Sequence, residues 1–131
     1  MGTNYYLNMK PPCESCGRPY EPKHIGKSSG GWCFSLHVIP EESINDLADW
    51  QKIWSAPEAT IEDEYGRLIS ELEMTDIICN RKWEPRSKWS AEEYMRNQAE
   101  PGPNGLARHV VGRHCLKHGA GTWDCIEGDF F

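Results

Sequence analysis

The sequence predicts a single α+β domain spanning 1–131, a small and mostly antiparallel sheet covered by about three helices. Three observations predict it. A chain of 131 residues buries roughly two thirds of its unfolded surface, enough for one hydrophobic core and not for two. The two ends, 1–40 and 100–131, are punctuated by proline and glycine and carry alternating apolar residues, the mark of turns and strands. The middle, 41–99, carries apolar residues at helical spacing and two helix-start signatures. Six tryptophans supply bulky pieces for the core.

Within 1–40, Pro11, Pro12, Gly17, Pro19, Pro22, Gly26, Gly30 and Gly31 exclude a long helix. Trp32, Phe34, Leu36 and Val38 alternate with Cys33, Ser35, His37 and Ile39, so a strand is expected with one face packed and the other open to chemistry. Pro40 followed by Glu41 and Glu42 suits a helix start. Ile44, Leu47, Ala48 and Trp54, widened by Trp50 and Ile53, form its apolar stripe, and Pro57 ends it. Ala59–Ile61 and Arg67–Ile69 flank Asp63-Glu64-Tyr65-Gly66, a hairpin in which Gly66 supplies positive φ. Ser70 with Glu73 and Ser90 with Glu93 match capping boxes. Met74, Ile77 and Ile78 line the first of these helices, and Ala91, Tyr94 and Met95 the second. Residues 100–105 stop the last helix, His109–Val111 and Thr122–Ile126 read as strands, and Phe130 and Phe131 are expected to pack back onto the core.

The formal charge is −6, but it is segregated. Residues 41–76 hold eleven acidic and two basic side chains, a local −9, while 81–89 and 106–118 each carry +3. No apolar stretch approaches the roughly 20 residues of a membrane helix, and no apolar run behind a basic region opens the chain. A reducing cytoplasm is therefore the expected compartment. Six cysteines are too sparse for a disulfide scaffold, which favours metal binding or thiols.

Cys13-Glu14-Ser15-Cys16-Gly17 carries the strongest chemical signal. Two thiolates at this spacing converge on one ion, and the glycine lets backbone amides approach the sulfurs. Prolines and glycines on both sides oppose the helix that a redox Cys-x-x-Cys requires. A tetrahedral structural zinc needs two more ligands. The set chosen is Cys13, Cys16, His24 and His37, with Cys33 as the substitute. Gly26-Lys27-Ser28-Ser29 resembles the tail of a phosphate-binding loop, but Glu21 stands where that loop needs glycine. Nucleotide binding is not expected there. Lys27 remains either a solvated cation or a basic contact for an anionic partner.

A second cluster, His109, Arg113, His114, Cys115, Lys117, His118 and Cys125, lacks a knuckle pair. It reads as polar surface, as a weaker metal site, or as a catalytic group in which Asp124 orients His118 as a general base. Arg81, Lys82, Arg86 and Lys88, interleaved with Trp83 and Trp89, form a candidate partner-binding patch of the composition that stacks on bases.

The chain resembles a family of small proteins encoded by bacteriophages and prophages. The resemblance is carried by Met1-Gly2-Thr3-Asn4-Tyr5-Tyr6, by Cys13-x-x-Cys16-Gly17-Arg18, by His24-Ile25-Gly26-Lys27-Ser28-Ser29 with Gly31-Trp32 and Leu36-His37, by Asp63-Glu64-Tyr65-Gly66, and by Pro101-Gly102-Pro103-Asn104-Gly105-Leu106 with Gly121-Thr122-Trp123-Asp124. It implies action inside an infected bacterium and is consistent with Cys13, Cys16, His24 and His37 as ligands, but implies no particular activity. The expected function is a non-enzymatic zinc-binding module that contacts a host or phage macromolecule, in host takeover or against host defence. The competing readings are a metal-dependent hydrolase or nuclease built on His109, His114, His118 and Asp124, and a nucleic-acid-binding protein acting through Arg81–Trp89.

Overall fold

The computed structural model describes residues 2–9, 22–81, 89–110, 115–128 and 130. Along the chain these form β1 (Gly2–Met9), β2 (Lys23–Ser29), β3 (Phe34–Val38), α1 (Leu47–Trp54), β4 (Ala59–Asp63), β5 (Leu68–Ile69), α2 (Glu71–Cys79), α3 (Ala91–Arg96), β6 (Ala99–Pro101), β7 (Ala107–His109), β8 (Cys115–His118) and β9 (Trp123–Glu127). Seven strands make one sheet in the order β5-β4-β1-β2-β3-β9-β8, and β6 pairs with β7 separately. Every neighbouring pair is antiparallel except β3 with β9. The α+β class, the three helices and the mostly antiparallel sheet agree with the sequence, but the sheet is not drawn from the two ends alone: β4 and β5 come from the middle segment.

One face of the sheet is the core. Tyr5 and Leu7 of β1, Ile25 of β2 and Phe34, Leu36 and Val38 of β3 pack against Leu47, Trp50 and Trp54 of α1 and Met74 and Ile78 of α2. Trp50 is fully buried, and its indole N–H donates to the His37 carbonyl at 2.7 Å. That bond satisfies the ring's one polar atom and ties α1 to β3. Asp46 caps α1 by accepting the Asp49 amide, Ser70 does the same for Glu73 of α2, and Ser90 and Glu93 form a complete capping box on α3.

A bulge decides what the other face carries. Tyr5 pairs with Gly26 and Tyr6 with His24, leaving Ile25 as the extra residue. Ile25 and Gly26 therefore both serve the core side. A Cβ on Gly26 would lie 2.4 Å from the Phe34 ring, so the residue must lack a side chain. His24 and Lys27, three apart in sequence, emerge together on the second face beside Ser35 and His37.

Three local expectations differ from the structure. The helix expected from Pro40 begins only at Leu47, as α1, and Pro40–Glu42 is a separate 3-10 turn. Ser43 then adopts φ 63°, and the chain doubles back so that the amides of Ile39 and Ile44 exchange hydrogen bonds at 2.7 and 3.1 Å. Pairing these two apolar residues outweighs continuing the helix. In α3 no residue is buried, and Met95, expected to line it, is 80% exposed. Phe130 packs against the histidines of the second face rather than against the core. Among the described residues, no helix is long and apolar enough to cross a membrane.

Candidate functional site

Two of the four expected ligands meet on the second face. His24 Nδ1 lies 3.3 Å from His37 Nδ1, across the junction of β2 and β3. The hydrogen-bond chain behind them sets their tautomers. Glu64 accepts from the backbone amide of Asn4 at 2.7 Å and from its side-chain amide at 3.4 Å. That turns the Asn4 Oδ1 toward His24 Nε2, 2.8 Å away. An amide oxygen only accepts, so Nε2 holds the proton and Nδ1 of neutral His24 offers a lone pair. His37 Nδ1 faces that lone pair and also the His24 carbonyl at 3.1 Å. It is therefore the donor. Phe130 stands edge-on to both rings, with centroids at 4.8 and 5.3 Å.

Cys13 and Cys16 lie outside the described residues. The substitute, Cys33, is described and does not join the pair. Among the described residues, no three of His, Cys, Asp and Glu are grouped to hold a metal. Four residues along an extended strand span about 13 Å, which separates Cys33 from His37. Burial, with a smaller contribution from Asp124, pushes the Cys33 thiol up to about 11, so it is a protonated packing residue.

The C-terminal cluster is built around Asp124, whose side chain is 0% exposed. Its Oδ1 accepts from Arg108 Nε at 3.0 Å and from His118 Nδ1 at 2.5 Å, and its Oδ2 accepts the His109 amide at 3.0 Å. Arg108 also donates through Nη2 to the carbonyls of Gly119 and Trp123, at 2.7 and 3.0 Å. The expected orientation of His118 by Asp124 is present. The His109 ring turns elsewhere, stacking on Trp32 with centroids 4.7 Å apart and placing Nε2 3.4 Å from Ser35 Oγ. Burial lowers its pKa, Asp124 partly opposing this. His114 lies outside the described residues.

Of the partner-binding patch, Lys82, Arg86 and Lys88 lie outside the described residues. Arg81 turns inward: its guanidinium donates to the Trp32 carbonyl at 2.9 Å, to the Ser29 carbonyl at 2.6 Å and to Ser28 Oγ. It fastens the end of α2 to the β2–β3 turn. Sequence reasoning missed Asn4, Glu64, Ser35 and Phe130, none of which stands in a motif for the chemistry it supports here. No protein-family model matches the chain, and no curated protein or solved structure matches it either.

Proposed function

We propose that the chain is a small zinc-binding protein in which Cys13, Cys16, His24 and His37 hold a structural ion, and that it serves as a non-enzymatic module for a macromolecular partner inside an infected bacterium. One observation carries this reading. Two nitrogens bound to a tetrahedral zinc at about 2.0–2.1 Å stand about 3.3–3.4 Å apart, and the Nδ1 atoms of His24 and His37 are 3.3 Å apart. The Glu64–Asn4–His24 chain is the kind of support that orients a ligating histidine and raises its basicity. Binding would release the His37 Nδ1 proton, as zinc sites generally do. The partner side of the proposal rests on charge: Glu41, Glu58, Glu71 and Asp76 are exposed in the acidic segment, which suits a protein with a basic surface. The Asp124 cluster supports the hydrolase alternative less well, because its carboxylate is already saturated by Arg108, His118 and the His109 amide.

The test is elemental analysis of the protein refolded with zinc and desalted. One zinc per chain is expected for a closed tetrahedral site, with loss in Cys13→Ser, Cys16→Ser and His37→Ala. Equal zinc in all three variants, or none in the parent, would overturn the assignment.

A further inference from the structure

A groove of about 690 Å³ runs between α1 and α2. α1 lines it with Gln51 and Trp54, and α2 with Glu71, Leu72, Thr75 and Asp76. Helical spacing explains why α2 can face two ways. Met74 and Ile78, four apart, are fully buried and anchor the helix on the sheet. Leu72, Thr75 and Asp76, at i, i+3 and i+4, share the opposite face. Leu72 is 83% exposed there, where an amphipathic helix ordinarily carries polar side chains. Glu71 and Asp76 are exposed on either side of it, about 7.5 Å apart along the helix axis. Among the described lining residues no cation offsets them. Arg67, four residues before Glu71, is paired with Glu73 at 2.7 Å and Asp63 at 3.6 Å. Asp76 accepts from the neutral side-chain amide of Asn80 at 2.9 Å, which leaves its charge in place.

We infer that this groove seats a basic amphipathic helix of a protein partner, with its apolar stripe on Leu72 and Trp54 and its lysines or arginines against Glu71 and Asp76. The inference rests on the partner half of the proposed function, to which it gives a place and a shape, and is independent of zinc. An exposed leucine between two carboxylates is complemented by a helix whose apolar stripe is flanked by cations. Cations one turn apart on such a helix stand about 6 Å apart, and their long flexible stems reach carboxylates at the spacing of Glu71 and Asp76. The groove lies between helices, so it offers no strand edge on which an extended peptide could pair. A second copy of this chain is a poorer occupant, because a two-fold contact through this face would set Glu71 and Asp76 against the same charges. The carboxylates likewise oppose the phosphates of a nucleic acid.

The experiment titrates the full chain into two labelled peptides of identical composition and follows fluorescence anisotropy. In one peptide leucines recur every three and four residues among lysines; in the other the order is scrambled. Saturable binding of the amphipathic peptide is expected, about tenfold tighter than that of the scrambled one, and weaker as salt rises. Leu72→Ser should weaken it about tenfold, and Glu71→Gln and Asp76→Asn about threefold each. All three side chains are exposed, and amide spectra confirm the fold of each variant. Equal binding of the two peptides, or parent-like binding by Leu72→Ser, would overturn the groove while leaving the acidic surface as the side a partner meets. Failure of both peptides to bind would overturn the groove and the basic partner together. Light scattering of the chain alone should show a monomer; a dimer abolished by Leu72→Ser would assign the groove to a second copy and overturn the inference.

Discussion

The second face of the sheet carries two histidine sites of opposite character. Around Asp124, a buried carboxylate meets a guanidinium, an imidazole and a backbone amide, so that each strong donor has an acceptor in place. Around His24 and His37, two nitrogens of the same kind face each other at 3.3 Å, with the tautomer of one fixed from behind. The first arrangement centres on one buried carboxylate; the second sets two ring nitrogens at the separation that the proposed zinc site would use. Residue type and spacing alone do not make that distinction.

The largest effect should come from breaking the complete site. Asp124→Ala leaves Arg108, whose side chain is 15% exposed, without its carboxylate partner and with only the Gly119 and Trp123 carbonyls as acceptors. Removing one partner of a buried pair costs about 3–5 kcal/mol, measurable as a fall in the urea midpoint with m unchanged. The zinc content of the folded fraction should stay the same. A loss below about 1 kcal/mol would remove the structural role assigned to Asp124.

The reverse dissociation is expected at the other site. Asn4→Ala removes the acceptor that holds the proton on His24 Nε2. Outer partners of this kind are worth about 10–100-fold in metal affinity, so zinc should be lost to a competing chelator at lower concentration. Glu64→Gln should act in the same direction and more weakly, because it leaves an oxygen able to accept from Asn4. Unchanged zinc affinity in Asn4→Ala would remove the orienting chain from the proposal.

Much of this arrangement was legible from local pattern. Phe34, Leu36 and Val38 alternate as a half-buried strand should, the hairpin closes at Asp63–Gly66, and Ser70 and Ser90 cap the helices they were expected to cap. His24 and His37, chosen together as ligands, lie side by side, and Asp124 meets His118 as one reading of the C-terminal cluster supposed. The rest depends on contacts that leave no local trace. A bulge is one additional residue without a compositional mark, yet the bulge at Ile25 decides that His24 and Lys27 share a face. The parallel pairing of β3 with β9 joins residues 34–38 to 123–127, and this distant pairing sets Asp124 beside Ser35. Asn4 and Glu64 come from a strand and a turn sixty residues apart. The exposed apolar side of α3 follows from where the helix lies, which its own periodicity does not encode.

His109 lies between the two regions and offers the smallest and most discriminating test. Its amide is bound to Asp124, while its ring stacks on Trp32 and reaches Ser35. Burial lowers the ring's pKa in the folded state, with Asp124 opposing and His118 reinforcing the shift. As pH falls, the unfolded chain therefore takes up this proton first, near the ordinary histidine value of about 6.5. The stability contributed by the neutral ring is present above that pH and is lost as pH falls from there toward the folded value. Thermal midpoints from pH 7.5 down to 5.5 should decline, and His109→Gln, which keeps a polar ring-sized donor without a titrating group, should decline less steeply. The comparison is made as a difference between the two proteins, so that every group common to both cancels. If both slopes are equal, the ring is not held neutral by its surroundings.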